Sequence, residues 1–269
     1  SAGDQFYSDL DVYNTGTSYI YLGHNTSGNQ YNGNTIISNN GTGTDTRILI
    51  GEGNAAAVNS FNGDVIVNNI SHSSDGLVRF NLRGSTIFGG NIILNSTLGT
   101  AANNGIAFGW PGYSGNARQA DGKTLQIGAT GFSKGTLSFQ NFTQSGSLSL
   151  SLLLSGTGII NFGSNSLFNG NVLVTAPDIY LNGTTFNGSV YCEKTGNITN
   201  NNVGNNVFNS TAAFVNSGTG VWVFSNSTKD IYNGDLSLKN TSTGSIYSAH
   251  NDASGTEFNG NLYLTNLST

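Results

Sequence analysis

The chain has no methionine, two prolines, one cysteine and charged residues at only 9% of its 269 positions, and each shortage excludes something. One cysteine cannot close an internal disulfide, so a disulfide-stapled scaffold is excluded while the redox compartment stays open. Charge this sparse, with a formal net of −5, has the wrong sign for nucleic acid. No run approaches the roughly 18 consecutive apolar residues of a membrane-spanning helix, and no basic-then-apolar leader opens the chain. With no Met to mark a native start, the segment is expected to be cut from something longer, with any export signal outside it. Helical periodicity is missing too, so essentially no α-helix is expected.

What the chain has instead is Gly (38 residues) and a matching abundance of Asn, with Ser and Thr, around short alternating stretches of Val, Ile, Leu and Phe. An aromatic residue followed by Asn-Gly-Asn/Asp, or a near variant, occurs nine times, at Phe6, Tyr31, Phe61, Phe88, Phe168, Phe186, Phe208, Tyr232 and Phe258. Outside one gap between Phe88 and Phe168 these anchors lie about 18 to 30 residues apart, the length of one supersecondary unit in a solenoid. Four and six places after each anchor the residues are nearly always apolar, as in Val65/Val67, Val172/Val174 and Leu236/Leu238, with outward-facing residues between them. That period of two is the mark of a strand with one buried face. A second short strand is expected in many units, at Ile20/Leu22, Ile48/Ile50, Val78/Phe80, Ile106/Phe108, Ile179/Leu181 and Val221/Val223. The Gly, Asn and Ser clusters between them are turn chemistry.

These units imply an all-β parallel β-helix (β-solenoid) of about 10–12 stacked rungs. The anchor aromatics should stand in vertical files in the core. Eight places after the anchor, Asn recurs at Asn14, Asn39, Asn69, Asn216, Asn240 and Asn266. A ladder is expected there, each amide bonded to those above and below; the alternative is an Asn that serves a turn in each copy. The anchor-free middle still alternates, at Leu125/Ile127, Leu137/Phe139 and Leu148 to Leu154, and is expected to form shorter rungs of the same stack, with Trp110-Pro111-Gly112-Tyr113 as a protruding loop. A longer period overlies the short one. DLDVYNTGTSYIYLGHN from Asp9 matches DLSLKNTSTGSIYSAHN from Asp235 at an offset of about 226 residues, with His24/His250 and Tyr21/Tyr247 in place. Residues 1–269 are therefore expected to be one continuous solenoid, a super-repeat plus overlap, with 1–43 equivalent to 227–269.

The strings FNGDVIVNN, FNGNVLV, YNGDLSLKNTSTGSIY, GKTLQIGATGFSKGTLSFQNFTQSG and FNGSVYCEKTG resemble repeats of very large secreted surface proteins of Bacteroidota, of the kind exported by the type 9 secretion route. The resemblance spans nearly the whole chain. It implies an extracellular, cell-surface location and a shaft module of a long filament or adhesin that mediates attachment or the capture of prey or substrate.

Parallel β-helices also carry polysaccharide lyases and hydrolases, which need acid, base or metal groups clustered on neighbouring rungs. The Asp residues here are scattered, and Asp9, Asp64 and Asp235 share one signature position with Asn, which marks turn formers. No catalytic residue, cofactor or metal ligand is assigned, and the expectation is a non-enzyme. Calcium is the one weak candidate, through Asp45 with Glu52 or Asp230 with Asp235. Cys192 holds a position filled elsewhere by Val or Leu and reads as a buried apolar residue. The expected partners are further repeats of the same polypeptide and, through outward Tyr13, Tyr19, Tyr21 and Tyr263, identical chains in a homo-oligomeric bundle. A glycan-binding or glycan-cleaving β-helix of the tailspike or lyase type is the alternative.

Overall fold

The computed structural model describes residues 3–26, 28–53, 55–73, 75–97 and 105–268, in two compact units, Ser1–Gly146 and Ser147–Thr269. Among the described residues there is no helix, and every strand pairing is parallel. Each unit is a β-solenoid in which a typical coil contributes three strands, one more than the sequence pattern announced.

In the first unit one face is formed by Gln5–Phe6, Asn29–Tyr31, Val58–Phe61, Ser85–Phe88, Asn116–Gln119 and Phe142–Gln144, each ending at the anchor position. A second face carries Leu10–Asn14, Thr35–Asn39, Val65–Asn69, Ile92–Ser96 and Leu125–Phe132, and a third Ile20–Leu22, Thr46–Ile50, Gly76–Phe80, Gly105–Phe108 and Thr136–Phe139. In the second unit the anchor face is Ser166–Phe168, Thr184–Phe186, Val207–Phe208, Ile231–Tyr232 and Glu257–Phe258. Its second face runs from Leu150–Leu153 through Val172–Ala176, Val190–Lys194, Ala212–Asn216 and Leu236–Asn240 to Leu262–Asn266. All nine strands expected after an anchor are present.

The anchors do form files. Phe6, Tyr31, Phe61 and Phe88 are register partners in succession, with near-parallel rings 4.6–5.6 Å apart. Phe168, Phe186, Phe208, Tyr232 and Phe258 do the same in the second unit, at 4.8–5.7 Å. Parallel register makes this unavoidable: identical positions must meet, and rings at coil spacing stack. Each buried ring contributes about 1.5–3 kcal/mol of burial. In the anchor-free middle of the first unit the file continues as Gln119 and Gln144. There the aromatic load moves to the third face, where Phe80, Phe108 and Phe139 stack at 5.3 and 5.4 Å.

Two local expectations need correction and a third holds. The strand expected at Val221/Val223 is present as Trp222–Val223, and Val223 is buried, but Val221 is only half-buried while Trp222 and Phe224 on the other parity fill the core. Leu148 is exposed although Leu150, Leu152 and Leu154 are buried, because it precedes the strand and lies in the turn. Trp110 to Tyr113 form a turn whose Pro111 to Tyr113 are exposed, as expected.

Candidate functional site

The signature can be rebuilt residue by residue. The aromatic fills the core. The Asn after it points outward, and its amide donates to the same Asn one coil earlier: Asn187 to Asn169, Asn209 to Asn187, Asn233 to Asn209 and Asn259 to Asn233, at 2.7–2.9 Å. Asn62 and Asn32 repeat this in the first unit at 2.7 Å. An amide has a donor on one side and an acceptor on the other, so an in-register column satisfies itself. The Gly that follows has no room for a side chain: a Cβ on Gly63 would lie 2.6 Å from the Gly33 carbonyl carbon, and one on Gly234 2.6 Å from the Ser210 carbonyl oxygen. The Asn/Asp in fourth place accepts the backbone N–H of its counterpart on the next coil, Asn34 to Asp9, Asp64 to Asn34 and Asn91 to Asp64, at 2.8–3.0 Å. Asn261 and Asp235 do likewise at 2.8 Å. Asn and Asp alternate there because only an acceptor is needed.

The Asn residues expected as a ladder stand in one file per unit. Amide-to-amide bonds join Asn39 to Asn69 at 3.2 Å and Asn240 to Asn266 at 3.1 Å. The constant feature is different: Asn14, Asn39, Asn69, Asn216 and Asn240 each donate to the carbonyl of Ser18, Thr46, Gly76, Gly220 and Gly244 in their own coil, at 2.7–3.0 Å. These amides close the corner between second and third strands, which combines the two alternatives. The unbroken amide ladder is that of the second unit, on the outside, one residue after the anchor.

Among the described residues, buried charge is concentrated in three places. In the first unit Arg79 and Glu52 pair, with Nε donating to Oε1 at 2.9 Å, and the guanidinium lies 4.8 Å over the Trp110 ring. In the second unit Lys194 Nζ lies 3.8 Å from Asp178 Oδ1, both side chains buried. Asp230, fully buried, accepts from the backbone N–H and amide of Asn206 at 2.8 Å and from Ser225 Oγ at 2.8 Å; burial raises its carboxyl above the usual range against those donors.

The calcium pairs are each tied to protein groups. Asp45 contacts Arg47 and the Tyr19 hydroxyl while Glu52 serves Arg79; Asp230 sits in the core while Asp235 caps a coil. Cys192 is fully buried between Val174 and Phe214 in its file, and burial pushes its thiol up. His24 and His250 each contact the tyrosine three places earlier, at 4.7 and 5.3 Å between ring centroids, so the long-period match extends to local geometry. On the surface of the first unit Tyr19 and Tyr21 meet edge to face at 6.0 Å, with Arg47 of the next coil 5.5 Å over Tyr19.

Lys194 was findable from the sequence, because it takes the place held by Asn eight residues after most anchors. The Arg79–Glu52 pair had no such signal, since 27 residues separate its members and neither belongs to the signature. No family model, curated protein or solved structure matches this chain.

Proposed function

We propose that residues 1–269 are a continuous shaft module, one super-repeat plus overlap, of a large extracellular filament or adhesin exposed at a bacterial cell surface. The observation that carries this reading is the pair of unbroken files in the second unit, aromatic rings inside and Asn amides outside, running coil to coil from Phe168 to Phe258 and from Asn169 to Asn259. Such files resist separation of coils and depend little on screened ion pairs. The outermost described coil leaves apolar core positions uncovered. Phe258, Leu262 and Leu264 occupy core positions yet are 38%, 42% and 67% exposed, and an open cleft lined by Leu238, Tyr247 and Leu264 lies beside them. Exposed Tyr13, Tyr21 and Tyr263 support lateral contact between identical chains.

The test is a low-resolution image of the native parent particle. A fibre with an axial repeat near ~50 Å, from about ten or eleven coils at ~4.8 Å, is expected; a discrete globular or trimeric body overturns the reading. A glycan-binding surface is the second reading, favoured by Tyr19 and Tyr21 beside Asp45 and Arg47 on the adjacent coil. It predicts retention on a polysaccharide array that Tyr21→Ala abolishes, and fails if no glycan is retained.

A further inference from the structure

Three side chains that the ladders do not require, Lys194, Asp178 and Asn200, are buried in the second unit, with Asp178 beside each of the other two. Lys194 ends the strand Val190–Lys194, is fully buried, and occupies the corner file between Ala176 and Asn216. Asp178 opens Asp178–Leu181 and Asn200 opens Asn200–Asn201; the bridge from Asn182 to Gly204 sets these two residues at matching positions of successive coils. The Lys194 ammonium donates to the Gly196 carbonyl at 2.9 Å and lies 3.8 Å from Asp178 Oδ1. Asn200 is wholly buried, and neither its amide oxygen nor its amide nitrogen makes a hydrogen bond of good geometry, although the group lies close enough to Asp178 to favour the charged carboxylate. Trp222, the register partner of Asn200 on the next coil, is fully buried and packs on Phe214 and Phe224.

We propose that Lys194 and Asn200 become joined by an intramolecular isopeptide bond, made by the folded chain itself with Asp178 as proton shuttle.

The chemistry follows from the surroundings. Burial lowers the Lys194 ammonium and raises the Asp178 carboxyl, each against the pull of the other. Moving a proton from Nζ to Asp178 therefore gives two neutral groups in a site that disfavours charge. The freed amine lone pair adds to Cγ of Asn200, and Asp178 returns the proton to the amide oxygen, which becomes the hydroxyl of a tetrahedral intermediate. Asp178 next takes the surplus proton from Nζ and gives it to the amide nitrogen. The old C–N bond breaks, the hydroxyl proton passes to the Asp178 carboxylate as the carbonyl reforms, and ammonia departs, so that Asp178 ends neutral beside a neutral amide. One amide is exchanged for another, so no oxidant or reductant enters. Fixed neighbours and exclusion of water supply the rate that free amine and amide lack. The product closes covalently the corner that other coils close with an Asn-to-carbonyl hydrogen bond, which accounts for lysine in an asparagine file.

The test is the intact mass of the full 269-residue chain under denaturing conditions, followed by proteolysis. The expected result is a mass short by one ammonia and a branched peptide joining Lys194 to Asn200. Lys194→Arg and the near-isosteric Asp178→Asn are expected to restore the full mass, with circular dichroism showing that each remains folded. Full mass in the unaltered chain overturns the proposal whatever the variants do. So does an ammonia deficit that maps to a cyclised Asn-Gly pair, or a deficit of one water with the branch at Asp178. None of these outcomes bears on whether the chain is a shaft.

Discussion

The tightest requirement in the signature is its glycine, and Gly63→Ala measures it. The backbone there lies outside the left-handed region, so alanine costs nothing in conformation and, by restricting the unfolded chain, would favour the fold by about 0.4–1 kcal/mol. Space decides the outcome. The new Cβ would sit 2.6 Å from the Gly33 carbonyl carbon and 2.8 Å from the Asn34 nitrogen, against an optimum near 3.5–4.0 Å for carbon contacts. Relief requires adjacent coils to part by roughly 1 Å from their ~4.8 Å spacing. The neighbouring bonds from Asn62 N to Tyr31 O at 2.8 Å and from Asp64 N to Asn34 Oδ1 at 3.0 Å would then stretch beyond useful length. Overpacking costs about 1–3 kcal/mol and each of the two weakened bonds about 0.5–1.5 kcal/mol, so after the gain from the unfolded chain the net loss is about 1–5 kcal/mol. Urea unfolding followed by far-ultraviolet circular dichroism reads it as a lower midpoint at unchanged slope. Gly16→Ala is the control, since its Cβ would meet nothing nearer than Asn14 Oδ1 at 3.7 Å. If Gly63→Ala unfolds within about 0.5 kcal/mol of the parent chain, the account of the signature glycine is wrong.

Glu52→Gln leaves the Arg79 guanidinium buried without its carboxylate and is expected to cost about 3–5 kcal/mol, with a change in Trp110 emission as the cation over its ring shifts; unaltered stability would mean the pair is solvated. Asp230→Asn keeps an oxygen for the Asn206 donors and removes a buried carboxylate. Burial raises the folded pKa of Asp230, so as pH climbs the unfolded chain loses this proton first and the parent chain loses stability relative to the variant. The expected advantage of Asp230→Asn is greatest at neutral pH and fades below about pH 4, the ordinary range of an unfolded Asp; an advantage independent of pH would refute the assignment.

Why some of this was legible in the sequence and some was not follows from what each position contributes. The strand after nearly every anchor has two or three inward apolar residues, as at Val65 and Val67, and a period of two exposes it. The strand ending on the anchor has one apolar inward residue and one polar, Asn59 beside Phe61 or Asn29 beside Tyr31, both buried, so hydrophobic alternation cannot see it. Asn29 donates its amide to the Asn59 side-chain oxygen at 2.8 Å, and that bond exists only once the coils are stacked. The outer ladder was missed for the related reason that an Asn before Gly reads as turn chemistry, and nothing local distinguishes a turn Asn from one bonded to its counterpart some twenty residues away. The inward turn of Trp222 and Phe224 was hidden because β-branched Val221 and Val223 carry the stronger strand preference, while the bulk of the indole settles which face is buried.

The same distinction explains how so monotonous a composition specifies a fold. Most bonds described above link a residue to its counterpart one coil away, so a residue type is favoured at a position chiefly because the same or a complementary type stands next to it. Asn suits this arrangement because its amide is both donor and acceptor; aromatic rings suit it because they stack at coil spacing. Stability then accumulates as a sum of nearest-neighbour terms, and a copy that departs from the pattern weakens two interfaces. Departures that persist therefore need local compensation. Gln119 and Gln144 in the ring file are offset by Phe108, Phe139 and Phe142 packed together at 4.9–5.4 Å. Lys194 in the Asn file is offset by Asp178, and under the proposed chemistry by a covalent bond to Asn200.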